Sequence, residues 1–335
     1  MEKVIIYGIG NIGKNVLASL IENEKMLDIS IVALADKQKV DSLYGYPVFF
    51  PWQLNTIEFD YVLVTSGRWY EDICKELIET YNIPKEKIVF WNSLLEGRGE
   101  GRYYCNLCGR RTSFMLPYGY ESPIFSEKKI VGGGIRKNGM CPFCNSLDRN
   151  RWVQYILEQE TDIYKENVKI LHFALEHEIE KKLRGLSKGE YITGDIKEGK
   201  ADRIIDITDI DFPKETFDYI LCNHVLEHIK DEKKAFWEIK RCLKADGKVI
   251  FSVPMCWEQK TQEDENIDSN EKRLKEYGQE DHVRLYGNDL KERLEMYGFV
   301  VLGYKVKEIL NKEQIVELGL IEDDTVWILK KDNLV

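Results

Sequence analysis

Two Cys-x-x-Cys pairs, "CNLC" at Cys105 and Cys108 and "CPFC" at Cys141 and Cys144, constrain this chain more than any other feature in it. A Cys-x-x-Cys turn aims two thiolates at one point, and two such turns supply the four sulfurs of a closed tetrahedral Zn2+ site. The 32 residues between the pairs exceed the usual ribbon spacing, so a looped insertion, "GYESPIFSEKKIVGGGIRKNG", has to leave and return between them. Redox chemistry is the competing use of such pairs, but neither opens a βαβ unit of the thioredoxin kind. A four-sulfur shell has no open position, so its expected role is structural.

At 335 residues the chain is too long for one core, and the cysteine segment marks where it divides. Residues 1–97 alternate strand and helix: "KVIIYGIG", "NVLASLIEN", "ISIVALAD", "DYVLVTSG", "YEDICKELIETY", "KIVFW". Residues 153–335 do so again, with strands "VKILHFA", "EYITGDI", "RIIDI", "FDYILCNHV" and "GKVIFSVP" and a closing pair, "GFVVLGYKV" and "TVWILKK". Such alternation predicts parallel sheets covered by helices. The expected fold is therefore α/β: two Rossmann-like parallel-sheet domains, 1–97 and 153–335, joined by a zinc-ribbon-like segment, 98–152.

Charge narrows the partners. The net charge of −10 disfavours unspecific binding to nucleic acid or an anionic membrane. Residues 101–155, however, hold nine Lys or Arg against three Asp or Glu, so an anionic ligand stays open there. Arg110, Arg111, Arg149 and Arg151 flank the cysteines, either as a solvated basic face or as forked phosphate donors. The apolar runs are strand-length and "MEKVIIYG" enters a strand pattern at once, which suggests a cytoplasmic protein without a membrane span. Eight cysteines in that compartment read as ligands or core residues, the latter for Cys74, Cys222, Cys242 and Cys256.

The first strand runs into Gly8, Gly10, Asn11 and Gly13, the dinucleotide fingerprint in its strand-turn-helix context, and Asp36 ends the second strand where a ribose-binding acid belongs. A nucleotide site and a turn that simply packs helix on strand are both compatible with that pattern. The segment resembles the small Rossmann-like domains attached to bacterial sugar-modifying transferases, some of which hold a nucleotide-sugar.

The stretch "DITDIDFPKETFDYILCNHVLEHIKDEKKAFWEIKRCLKADGKVIFSVP" carries a second resemblance, to class I S-adenosylmethionine-dependent methyltransferases, over about 180 residues. The resemblance implies that Asp195 accepts the ribose hydroxyls, that Asp206 and Ile207 border the adenine, and that Asn223 and His224 face the methyl group. Most members end the first strand in a glycine-rich loop; here it reads "HFALEHE", similar to a His-Phe-Ala-Pro-Glu loop in a subset with a preceding cysteine segment, with Leu175 in the proline position. His172, Phe173, Ala174 and Glu176 are the implied cofactor contacts in it, Ala174 allowing close approach and Glu176 meeting an ammonium. His224 or His228 is the implied base, where the acceptor needs one. The helix "EHIKDEKKAFWEIKRCL" should bury Ile229, Phe236, Ile239 and Leu243 on one face. "WEQKTQEDENIDSNEKRLKEYGQ" reads as a mobile lid, with His282 and Arg284 facing the substrate.

Sugar C-methyltransferases combine similar parts in another order, so the expected acceptor is a small molecule, a sugar or nucleotide-linked sugar of a surface glycan. A zinc-containing RNA methyltransferase and a non-catalytic nucleotide-binding protein are the alternatives.

Overall fold

The computed structural model describes residues 1–38, 41–96, 101–186 and 189–332; the expected boundary at 97/98 lies outside them. The chain forms two compact units, one of residues 1–103 and 111–118 and one of 104–110 and 119–335.

The first unit carries a sheet built from β1 (Glu2–Tyr7), β2 (Ile29–Ala35), β3 (Ser42–Leu43), β4 (Tyr46–Phe49), β5 (Tyr61–Val64) and β6 (Ile88–Phe90), in the order 3-4-2-1-5-6. All its pairings are parallel except the short β3–β4 ribbon. Helix α1 (Asn11–Leu27) connects β1 to β2, and α2 (Tyr70–Glu79) connects β5 to β6. Both faces of the sheet are covered, so β1 reads as an unbroken apolar run, with Val4, Ile5 and Ile6 all fully buried.

Between the two sheets the chain makes short elements: β7 (Tyr103–Tyr104), β8 (Arg111–Thr112), β9 (Leu116–Tyr118), α3 (Pro123–Glu127) and β10 (Arg136–Met140). Helix α4 (Asp148–Gln159) then crosses the 152/153 boundary expected from sequence, and buries Trp152, Val153, Ile156 and Leu157 in the core beneath the larger sheet.

The larger sheet comprises β11 (Ile170–Phe173), β12 (Tyr191–Asp195), β13 (Arg203–Ile204), β14 (Phe217–Asn223) and β15 (Leu243–Ser252) in parallel, closed by an antiparallel pair, in the order 13-12-11-14-15-19-18. Helix α5 (His177–Leu186) follows β11, and α6 (Glu232–Cys242) follows β14. Then come β16 (Met255–Cys256), α7 (Asn270–Tyr277), β17 (Tyr286–Gly287), α8 (Leu290–Met296), β18 (Phe299–Lys305), α9 (Val306–Ile309), α10 (Lys312–Leu318) and β19 (Thr325–Lys331). Alternate residues feed two cores: Leu171, Ile220 and Phe251 on one face, Ile170, Leu221 and Ile250 on the other. Strand order reverses between β11 and β14, which opens a crevice at their carboxyl ends.

Helix α6 is shorter than the sequence pattern suggests. Asp231 caps it, its carboxylate accepting from the Lys234 amide at 2.9 Å, so Ile229 belongs to the preceding turn and Leu243 starts β15. The apolar face consists of Ala235, Phe236, Ile239 and Cys242.

Candidate active site

The loop after β11 turns without glycine because Ala174 itself takes the left-handed conformation, φ +47°, with its amide bonded to the Gly194 carbonyl at 3.0 Å. His172 fixes the next turn. It is fully buried, its Nδ1 2.7 Å from the Tyr191 hydroxyl and its Nε2 2.8 Å from Glu176, whose other oxygen accepts from Asn150 at 3.3 Å.

A cavity of about 470 Å3 opens at the strand ends, lined among others by Phe173, Ala174, Asp195, Asp206, Ile207, His224 and His228. Asp195 and Asp206 hold their own turns, accepting from the Lys197 and Thr208 amides at 2.8 Å. His172 and Asn223 are buried, and neither they nor Glu176 is among the residues lining this cavity. Asn223 accepts from Ser252 at 3.0 Å and keeps its Nδ2 buried without a hydrogen-bond partner. His177 points outward, its side chain 90% exposed.

His224, also left-handed at φ +52°, sets Nδ1 3.3 Å from Glu227, a residue the sequence motif contains but its pattern does not single out. Burial pushes the Glu227 carboxyl up to about 8 and holds the His224 imidazole well below its ordinary value, each shift favouring the uncharged form. Burial, with the neighbouring His228, pushes His282 down to about 4. The His228 and His282 rings meet edge to face at 4.7 Å.

Arg284 faces the protein, not a substrate. It is buried, and donates to the carbonyls of Leu226 and Ile229 at 2.6 Å and of Lys230 at 3.0 Å, and to Glu263 at 2.6 Å. The segment expected to be a lid is likewise anchored: Thr261 donates to Asp289 at 2.7 Å, Lys128 pairs with Glu276 at 3.2 Å, and Tyr277 is buried.

A second cavity, of about 890 Å3, is lined almost entirely by the insertion between the cysteine pairs, Tyr120 to Arg136, with Ile321 and Asp323. One of its wall residues, Gly132, packs near the strand ends: an added Cβ there would lie 3.8 Å from His224 Cε1. Nothing in the glycine run of the sequence signals that approach.

The four cysteines converge. Cys105 and Cys144 are 3.7 Å apart and Cys108 and Cys141 3.9 Å, against about 3.8 Å for sulfurs on a tetrahedral zinc shell. Each knuckle closes alike, with Gly109 and Asn145 in left-handed conformations returning amides to the Cys105 and Cys141 carbonyls. Of the flanking arginines, Arg151 is fully buried and donates to the carbonyls of Ser146, Asn138, Leu318 and Gly319, so it is neither a solvated face nor a phosphate donor. Arg110 stacks on Phe143 at 4.7 Å. Cys222, Cys242 and Cys256 are core residues, while Cys74 is half-buried.

In the first unit, Gly8 (φ +93°) and Gly13 are explained by packing: a Cβ on Gly13 would sit 1.9 Å from the Gly8 carbonyl oxygen. Gly10 faces open space, and Asn11 starts α1. Asp36 braces the loop, accepting from the Ile9 amide at 2.8 Å and the Gln38 amide at 2.9 Å.

Comparison with known proteins decides the family. A family model described as a methyltransferase domain matches residues 134–303, half of the chain. The chain belongs to that methyltransferase family. It is a class I, S-adenosylmethionine-dependent enzyme, and residues 1–89 of this methyltransferase match a second model, the N-terminal region of C2185-like proteins. No curated protein matches the chain. Among solved structures, the methyltransferase is similar to an S-adenosylmethionine-dependent methyltransferase from Archaeoglobus fulgidus (16% identity, 54% of this chain and 93% of that one, TM-score 0.37). It is also similar to a putative methyltransferase from Bacillus halodurans (15%, 52% and 95%, 0.33) and to an O-methyltransferase of Brevibacillus brevis in complex with S-adenosyl-L-homocysteine (16%, 54% and 72%, 0.39). Among the described residues, no helix of the methyltransferase is long and apolar enough to cross a membrane.

Proposed function

We propose that this methyltransferase acts on a small molecule, a sugar or nucleotide-linked sugar of a surface glycan, held in the cavity lined by the insertion between the cysteine pairs. The approach of Gly132 to His224 carries the reading, because it puts a wall residue of that cavity beside a wall residue of the strand-end cavity. Its lining supports a polar organic ligand: Tyr120 and Phe125 give ring-stacking surface, while Lys129 and Asp323 give charged hydrogen-bonding groups.

S-adenosylmethionine supplies a sulfonium-activated methyl group, transferred by in-line displacement. Asp195 takes the ribose hydroxyls, Asp206 and Ile207 border the adenine, and Phe173 and Ala174 form the floor. Glu176 shapes the loop from behind, held by His172. Positioning dominates such a reaction, and His224 or His228 accepts the proton when the acceptor is a hydroxyl or amine. Cys105, Cys108, Cys141 and Cys144 hold a structural Zn2+ that fixes both ends of the insertion. The loop with Gly10 and Asn11 is a separate nucleotide site of the first unit.

Basic residues of the middle segment support the small-molecule reading over RNA, since Arg151 and Arg136 are spent on internal partners, Arg136 on Asp148 at 2.5 Å. Calorimetry on the whole chain tests the proposal, with S-adenosylhomocysteine and then with nucleoside-diphosphate sugars. Saturable binding of both is expected. Binding of S-adenosylhomocysteine alone, together with salt-dependent retention on RNA, would sink the sugar reading.

A further inference from the structure

We propose that Glu227, His228 and His282 form a second metal site, for a divalent transition-metal cation, against the wall of the strand-end cavity. One donor atom from each lies within 4.8 Å of the other two. Two of the three side chains carry an orphaned atom: Oε2 of Glu227 and Nδ1 of His282 are buried with no hydrogen-bond partner, in residues only 2% and 3% exposed. Buried polar atoms in native proteins are almost always satisfied, and a cation is a partner that either orphaned atom could take.

The surroundings are those of a metal ligand set. His228 Nδ1 is 3.3 Å from both the carbonyl and the carboxylate of Asp281, which orients the ring and leaves Nε2 for the ion. Glu227 Oε1 lies on His224, so the carboxylate is fixed at one end and open at the other. Arg284 holds the Leu226–Lys230 turn through three carbonyls, and the Val283 amide donates to the Glu227 carbonyl at 2.8 Å. Donors 54 residues apart are thereby held in one rigid frame.

The chemistry differs from that of the four-cysteine site. Two imidazoles and one carboxylate suit Zn2+, Fe2+, Co2+ or Ni2+ and leave at least one coordination position open. His228 and Asp281 line the same cavity as Asp195 and His224, so an oxygen-bearing acceptor can complete the shell there. That role rests on the methyltransferase reading; the cation site itself does not.

Cobalt titration of the full chain loaded with one equivalent of Zn2+, enough for the four-cysteine site alone, tests the proposal. One saturable Co2+ site per chain is expected, with the weak visible bands of nitrogen and oxygen ligands rather than intense thiolate charge transfer. Glu227→Gln and His282→Gln should each weaken it at least tenfold, and His177→Gln should not. The absence of a saturable site in the wild-type chain overturns the proposal without reference to any variant. So does full Co2+ affinity in both variants. S-adenosylhomocysteine binding, measured on the same preparations, reports the cofactor cavity separately, so its loss with Co2+ binding intact counts against the cofactor assignments and not against the metal site.

Discussion

The buried imidazole of His172 holds the carboxylate of Glu176 at 2.8 Å across a loop that lacks the usual glycines. Glu176→Ala leaves His172 Nε2 buried without that acceptor, at a cost of about 1–3 kcal/mol. Glu176→Gln restores an acceptor and should recover most of the loss. Chemical denaturation of the three proteins checks both values.

The backbone of the same loop makes the opposite prediction at Ala174. A left-handed alanine is strained by about 1–2 kcal/mol relative to glycine, partly offset by the extra freedom glycine has when unfolded. Ala174→Gly should therefore be neutral or stabilising by up to about 1 kcal/mol, whereas glycine in an ordinary strand or helix destabilises. A clear drop in stability would place the loop in a different conformation.

Order along the chain made the strand-end acids legible in the sequence: Asp195 and Asp206 each end or follow a recognisable strand, and parallel strands present such residues to a crevice. The two sheets were legible for the same reason, since their apolar runs are unbroken. What the pattern could not show is convergence through tertiary contacts. His282 meets His228 where buried Arg284 grips the turn that carries His228, and a charged residue buried as a clamp looks in sequence like one facing a ligand. The segment read as a lid, "WEQKTQEDENIDSNEKRLKEYGQ", is polar in the same way, with Thr261, Glu263 and Glu276 paired within the fold.

For Asp195, a charge-assisted bidentate contact to ribose is worth about 1.5–3 kcal/mol. Asp195→Ala should weaken S-adenosylhomocysteine binding by roughly 10- to 100-fold in calorimetry, and Gly10→Val should leave it unchanged. The reverse result would move the methyl donor to the first unit.

Burial raises the Asp324 carboxyl to about 6, above its value of about 3.9 in the unfolded chain. Between those values the folded state keeps a proton that the unfolded state has lost, so this group makes stability fall as pH rises from about 4 to 6, by roughly 3 kcal/mol in all. Asp324→Asn removes the slope and still accepts from the Thr325 amide, which Asp324 Oδ1 now does at 2.9 Å. The variant should match the wild type near pH 4 and exceed it by about 1–3 kcal/mol at pH 7, as measured by urea unfolding at the two pH values.

Packing and ligand binding separate cleanly at the first glycine loop. Gly13→Ala drives a Cβ to 1.9 Å from the Gly8 carbonyl oxygen, backbone against backbone, so helix α1 must move off the sheet at a cost of about 3 kcal/mol or more. Gly10 is already extended, φ −62° and ψ −174°, with open space where a side chain would go, so Gly10→Ala should change stability by less than about 1 kcal/mol. Thermal unfolding checks the first pair of values and nucleotide calorimetry the second. If Gly10→Ala and Gly10→Val keep the fold but progressively lose nucleoside-diphosphate affinity, the open space above Gly10 is the binding surface. If they keep both, Gly8 and Gly13 are accounted for by helix–strand packing alone, and the first unit holds its ligand elsewhere.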